Sequence, residues 1–599
     1  MPFLTKFNKM ANTSRRHFLT QTATMAAVGG SATLVACGGT GASADLVSAQ
    51  FLYGVASGDP LTDKVILWTH AKRPNIEADV SLTWQVASDY GFTNIVNTGS
   101  VIASMATGNT AKVDVDGLTA GSTYFYRFKD QNGSTSPIGT TRTLPDNTAT
   151  SVKFAVFSCT LYSAGFFNVY ESALSSGAQY AIHLGDYIYE YGSDPAKFGN
   201  TDATTTPAGT AASLGRVVTP SNDIVSLTDY RTRYALYRSD SNLQDLHAKM
   251  PWITVWDDHE FANNAYMTGA QNHDTATQGD WATRKAIAAK VYHEWMPIRT
   301  PDASNLLKIY RKFDFGKLFT LHMVDTRIEG RTKQVYGWYG DPFDAKVQPY
   351  AWADYSAGLT PVGGVYPDAA NKMMSDTQFS WLTGNISTST TTWQIMGNQD
   401  IMAKLWYPAT VVAANAQGAA AFQTAVGSYL ARKAGNPANT ASDVKVPINM
   451  DSWDGYPINR ETLLQTIRAT GKKLVVLSGD SHNAWFNDLR TLDGANKVGV
   501  EFATSSVTAP GYESAGLGEL AAYIDGSAVA AGVNGTRAGL IDDVNYVDTK
   551  RRGYLLMTVT DANVKGEFVF VDTVRSTTYT ARVGKTVTVL ASNLTATYS

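Results

Sequence analysis

The chain has two cysteines in 599 residues, Cys37 and Cys159. If Cys37 is modified or removed, no intramolecular disulfide can form, and Cys159 needs a role of its own. Charged residues make up only 17%, with a formal net charge of -3. Without a basic excess, specific nucleic-acid recognition through phosphate neutralisation is not expected. Beyond the N-terminal region there is no run of about 18 apolar residues, so no bilayer-spanning segment is expected in the mature chain. Nor does a convincing Gly-x-Ser-x-Gly follow a strand pattern, which removes the nucleophile elbow of a serine hydrolase. Internal repeats and strong low-complexity segments are also missing.

What is present begins with an address. Ser14-Arg15-Arg16-His17-Phe18-Leu19 carries a twin arginine and leads into a small-residue, mildly apolar stretch from Thr20 to Ala36. Residues 1–44 are therefore expected to be an export signal read by the twin-arginine machinery. Leu34-Val35-Ala36-Cys37 resembles a lipobox, which would acylate Cys37; Ala42-Ser43-Ala44 is a competing cleavage site. The expected location is periplasmic, extracellular or lipid-anchored at the cell envelope. Any membrane attachment would run through the lipid on Cys37, and a monomer is expected.

From about Phe51 to Leu144 short alternating segments, such as Val80-Ser81-Leu82-Thr83-Trp84-Gln85-Val86, are separated by Gly, Asp and Asn turns. This texture predicts an all-β domain over 45–146. The stretch Leu118 to Phe128 resembles the corner and following strand of fibronectin type III modules, so the domain is expected to be immunoglobulin-like. After Pro145 near-continuous apolar runs alternate with helical patterns, the mark of buried strands in an α/β sheet over 147–599. The runs are Val152 to Phe157, Tyr180 to Leu184, Ile253 to Trp256, Leu318 to Val324, Thr392 to Met396 and Lys473 to Leu477. Helices are predicted over Thr228 to His247 and Gly279 to Trp295, the latter with Ala282, Ala286, Ala289, Val291 and Tyr292 inward. Stretches 328–374 and 400–460 lack periodicity and are expected to be active-site loops. The tail after Gly553 reads as closing strands.

In α/β proteins ligands bind beyond the C-terminal strand ends. The first three runs end in Ser158-Cys159, Gly185-Asp186-Tyr187-Ile188-Tyr189 and Asp257-Asp258-His259-Glu260. The last three end in Asp325-Thr326-Arg327, Gly397-Asn398-Gln399 and Gly479-Asp480-Ser481-His482. Each motif alone is ordinary turn chemistry. Their joint occurrence at successive strand ends points to one site.

Gly185-Asp186-x-x-Tyr189, His259-Glu260 and Gly479-x-x-His482 resemble the calcineurin-like metallophosphoesterase superfamily, which includes purple acid phosphatases. Gly54-Val55-Ala56-Ser57-Gly58-Asp59-Pro60, Phe157-Ser158-Cys159, Gly185 to Glu190, Pro251 to Glu260 and Ser478 to His482 resemble the PhoD-like alkaline phosphatase and phospholipase D family. The resemblance runs from about residue 51 to 510. It implies a four-layer β-sandwich flanked by helices, a centre of two or more metals and hydrolysis of phosphate esters. Phospholipase D chemistry is the alternative within the family. An alternative of another class is a lipid-anchored, non-catalytic binding protein on a degenerate enzyme fold.

On this resemblance Cys159, Asp186, Tyr189 and His482 would hold the first metal. A thiolate beside a phenolate suits Fe³⁺ and would be a poor set for magnesium or calcium alone. The second shell would share Asp186 and add Asp258, Asp480 and an amide from Asn398 or Gln399; its oxygens favour Ca²⁺. His259 would contact the phosphate or assist the leaving oxygen. Arg327 is either a bidentate substrate clamp or an internal partner of Asp325. Tyr230, Tyr234 and Tyr237 are expected to pack, and Arg231, Arg233 and Arg238 to form a solvated face.

Overall fold

The computed structural model describes residues 47–192, 210–334 and 370–599, apart from 416, 441, 442, 444, 448, 516, 517 and 528–537. The leader, Cys37 and most of 328–374 lie outside the described residues. The six apolar runs become strands at nearly the expected bounds: Val152–Phe157, Tyr180–His183, Trp252–Thr254, Phe319–Met323, Trp393–Gly397 and Lys473–Ser478. Almost every residue in them is buried, which is why the runs show no alternation.

The six strands divide equally between two sheets, and within each sheet the three run parallel. In the first, of ten strands, Val152–Phe157 pairs antiparallel with Arg552–Val559, and the C-terminal strands Asn563–Val571, Ala581–Leu590 and Ala596–Tyr598 follow outward. The tail thus extends the sheet. In the second, of seven strands, Lys473–Ser478 continues into Lys497–Ala503 and its antiparallel neighbour Ala484–Arg490. The sheets face each other through contacts such as Phe154 on Phe319, with ring centroids 5.7 Å apart. Helices Leu227–Arg238, Ser241–Lys249 and Trp281–Trp295 join the core of the first sheet, and Asp376–Thr388 and Pro457–Thr470 pack on the second. Helix, sheet, sheet and helix make four layers, and each fully buried Leu or Val in them contributes about 1.5–3 kcal/mol.

At the N-terminal end, strands Ile95–Ala103, Val80–Ala87, Thr123–Asp130 and Gly139–Arg142 form a four-stranded sheet. It packs on Val55–Gly58, Val65–His70 and Thr110–Val115 around Leu67, Leu82, Trp84 and Phe128. The Thr119 backbone N–H donates to the Tyr124 hydroxyl at 2.9 Å, the local bond of a tyrosine corner. The second layer of this sandwich is also the edge of the ten-stranded sheet, because Gly58 pairs parallel with Trp252. A Cβ on Gly58 would sit 2.3 Å from the Pro297 carbonyl oxygen, so only glycine lets the two backbones approach. Beside it, buried Asp59 takes both arms of Arg311, at 2.8 and 2.7 Å, and the backbone N–H of Arg299. The Gly54–Pro60 motif is thus the bolt between sandwich and catalytic sheet.

Several expectations give way to packing. Residues 400–460 include helices Ala409–Asn415 and Ala419–Gly435 rather than loop alone. The helix predicted over 228–247 is two, broken at Asp240, whose carboxylate caps Asn242 and Leu243. In Trp281–Trp295 the exposed face includes Ala282 and Ala286, while Trp281 and Arg284 are buried. The three arginines are no solvated face. Arg231 pairs with Glu294, Arg233 donates to the carbonyls of Tyr189 and Tyr191, and Arg238 lies over the Trp68 ring.

Candidate metal centre

Three of the strand ends turn sharply, and the turns put side chains in unusual backbone states. Cys159, Asp186, Asp480 and His482 have φ of 59°, 55°, 54° and 62°. Left-handed backbone at a non-glycine residue costs on the order of 1–3 kcal/mol and persists only where its surroundings enforce it. Here they do: Cys159 N–H donates to the Gly185 carbonyl at 3.2 Å and Thr160 N–H to the Asp186 carbonyl at 2.8 Å. Glu260 accepts the backbone N–H groups of Asp186, Tyr187 and Asp257, tying two ligand turns together. Tyr237, packed as expected with Tyr230 and Tyr234, accepts the N–H of Tyr189 at 3.2 Å.

The turns bring Cys159, Asp186 and His482 together, with candidate ligand atoms all within 4.8 Å of one another. The Tyr189 hydroxyl donates to Asp186 Oδ2 at 2.9 Å and lies 3.1 Å from His482 Nε2. His482 Nδ1 is 2.6 Å from the Pro510 carbonyl oxygen. A carbonyl only accepts, so Nδ1 carries the proton and Nε2 is left for a cation. On the other side of Asp186, three further sets of side chains come equally close together: Asp186, Asp258 and His259; Asp257, Asp258 and Asp480; and Asp400, Asp451 and Asp480. Asp186 is the carboxylate common to both sides.

The donor set fits cations. Asp258 Oδ1 and Asp257 Oδ2 are buried without a hydrogen-bond partner, a costly state for a carboxylate unless an ion completes it. Burial pushes the Cys159 thiol and the Asp186 carboxyl well above their ordinary ranges, and Asp480 up to about 8. The raised proton affinity makes cation binding compete with protons at these ligands.

His259 is fixed by Glu190, whose Oε2 lies 2.6 Å from Nδ1. Burial alone would lower its pKa, but Asp258, Asp186 and Glu190 outweigh that and raise it. Arg327 is not a substrate clamp. Its guanidinium is fully buried and engaged by Asp257, Asp400, Asp451 and Asp480, while Asp325 takes only its backbone N–H. Gln399 does not face a cation either: its oxygen accepts two bonds from Thr326, and its nitrogen donates to the Trp256 and Val324 carbonyls. Asn398 Oδ1 accepts the Trp453 indole N–H at 3.1 Å, which leaves one lone pair. Asp257, Glu190 and Glu260 lie inside motifs legible in the sequence but had no role assigned there; Asp400 adjoins Gly397-Asn398-Gln399, whereas Asp451 and Arg331 sit in stretches without periodicity.

Family comparison agrees with this geometry. The PhoD-like phosphatase model matches residues 154–568, and the model of the PhoD-like N-terminal domain matches 37–145. The chain belongs to the PhoD-like phosphatase family. It is 31% identical to alkaline phosphatase D of Bacillus subtilis (strain 168) over 485 residues, covering 78% of this chain and 71% of that protein. A solved structure of PhoD superposes with a TM-score of 0.70 at 27% identity, covering 93% of this chain and 92% of that one. The chain is accordingly a metal-dependent phosphoric ester hydrolase with phosphatase and phosphodiesterase character.

Proposed function

We propose an exported alkaline phosphatase that hydrolyses phosphate monoesters, with phosphodiesterase activity, using Fe³⁺ and Ca²⁺. Fe³⁺ would be held by Cys159, Asp186, Tyr189 and His482, and Ca²⁺ by Asp186, Asp258, Asp480 and Asn398. The observation that carries this reading is the meeting of a thiol, a phenol and an imidazole on one side of Asp186 with unpartnered carboxylate oxygens on the other. When bound, the cations supply the positive charge that stabilises phosphate oxygens during transfer. Glu190 holds the Nδ1 proton of His259, so Nε2 is the ring nitrogen that gives a proton to the leaving oxygen. The chain is proposed to leave the cytoplasm by the twin-arginine route, as a monomer that is either lipid-anchored at Cys37 or cleaved after Ala44.

Elemental analysis of purified enzyme, alongside hydrolysis of a chromogenic monoester and diester, tests the site. Iron plus calcium with faster monoester turnover is the expected result; an Asp186→Asn enzyme with full activity would rule the site out. Fractionation of cells carrying Arg15→Lys and Arg16→Lys together tests the route, with retention in the cytoplasm expected.

A further inference from the structure

Every polar edge of Arg327 meets an acid. Its Nε donates to Asp257, Nη1 to Asp451, and Nη2 to Asp480 Oδ1 at 2.8 Å. Nη2 also lies 2.8 Å from Asp400 Oδ1, an ion pair without hydrogen-bond alignment, and 4.0 Å from Asp258 Oδ1. The four directly contacted acids lie on four separate chain segments, around 257, 400, 451 and 480. Arg331 backs the arrangement from behind, pairing with Asp451 at 2.5 Å and Asp400 at 3.3 Å but with neither Asp258 nor Asp480.

Mutual repulsion would otherwise spread such acids or keep them protonated. A planar guanidinium with five fixed donors can hold several carboxylates in one geometry, which a point-charge ammonium cannot. We infer that Arg327 is a positioning residue for the second cation: it is the resident positive charge that assembles the carboxylates, and it fixes Asp480 toward the cation. The inference rests on the carboxylate-lined second site proposed above. It assigns Arg327 no contact with substrate, so its loss weakens cation uptake and leaves the Cys159 side of the centre untouched.

The test is calorimetric titration with Ca²⁺ of purified, iron-containing enzyme that has been treated with a calcium chelator. In Arg327→Lys, calcium affinity is expected to fall by about tenfold to a hundredfold, the usual cost of losing an outer-shell partner. Iron content and its charge-transfer colour should stay as in the wild type, and activity should return at high calcium with KM unchanged. Asp451→Asn removes one anchor of the guanidinium without touching a proposed ligand, and should lose affinity severalfold; it carries the test if Arg327→Lys does not fold. Calcium affinity within about twofold of wild type in either folded variant overturns the inference. So does a parallel loss of iron and calcium, which would mark Arg327 as general packing. If wild-type enzyme takes up no calcium, the proposed second cation fails first, and the inference falls with it.

Discussion

Gly185→Ala is the sharpest perturbation of the ligand turns. Gly185 has φ of 107°, and a Cβ built there would lie 2.3 Å from the backbone nitrogen of Asp257 and 2.4 Å from its Cβ. An ordinary contact needs roughly 3.4 Å, so the Asp186 and Asp257–Asp258 turns must separate by about 1 Å. Overpacking of this kind costs about 1–3 kcal/mol, and the strained φ adds a similar amount. Metal sites tolerate only about 0.2 Å in ligand distance, and a 1 Å misplacement costs about a hundredfold in rate. The expected variant is therefore folded but destabilised by about 3 kcal/mol, depleted in metal, and reduced about a hundredfold in kcat/KM. Gly384→Ala is the control, because Gly384 sits on the exposed face of helix Asp376–Thr388 with nothing within 4 Å of its would-be Cβ. That substitution should stabilise by about 0.5–1 kcal/mol. Denaturant unfolding, elemental analysis and steady-state kinetics on both variants decide the matter. Wild-type metal content and activity in Gly185→Ala would refute the close-approach argument.

His259→Asn should lower kcat by about a hundredfold or more on alkyl phosphates, and much less on esters of acidic phenols that leave without a proton; equal losses on both would remove its role at the leaving oxygen. Cation-stripped enzyme should lose stability as pH rises from about 4 to about 8. Burial raises Asp480 in the folded state to about 8, above its unfolded value, so that contribution is complete in acid and lost through the folded pKa. A melting temperature of stripped enzyme that is flat or rising over that window would contradict the assignment, and cation-loaded enzyme should lack the slope. Asp59→Asn breaks a buried bidentate pair with Arg311 and should cost about 3 kcal/mol in denaturant unfolding. An unchanged midpoint would show that the N-terminal sandwich is not bolted to the catalytic sheet there.

Local pattern carries the strands because their signal is local. A run such as Leu474 to Leu477 is apolar on both faces whatever its partners are, and a strand buried on both sides needs just that. The polar residues that follow each run were legible for the same reason: chain direction alone puts them at one end of a parallel sheet. That is enough to name Cys159, Asp186, Tyr189, Asp258, Asp480 and His482 as candidates.

Which side chains turn inward, and toward what, is not local. Arg327 and Gln399 follow strands as Asp186 does, yet one is spent among four acids and the other on two carbonyls and Thr326. Arg233 looks solvated on a helical wheel, and only the packed loop above it supplies the carbonyls that bury it. The amino-acid sequence by itself determined the strands, their order along the chain and the chemistry available at their ends. The tertiary structure decided how that chemistry is shared out, because a buried charge takes its role from the partners that replace its water, and those partners come from distant segments.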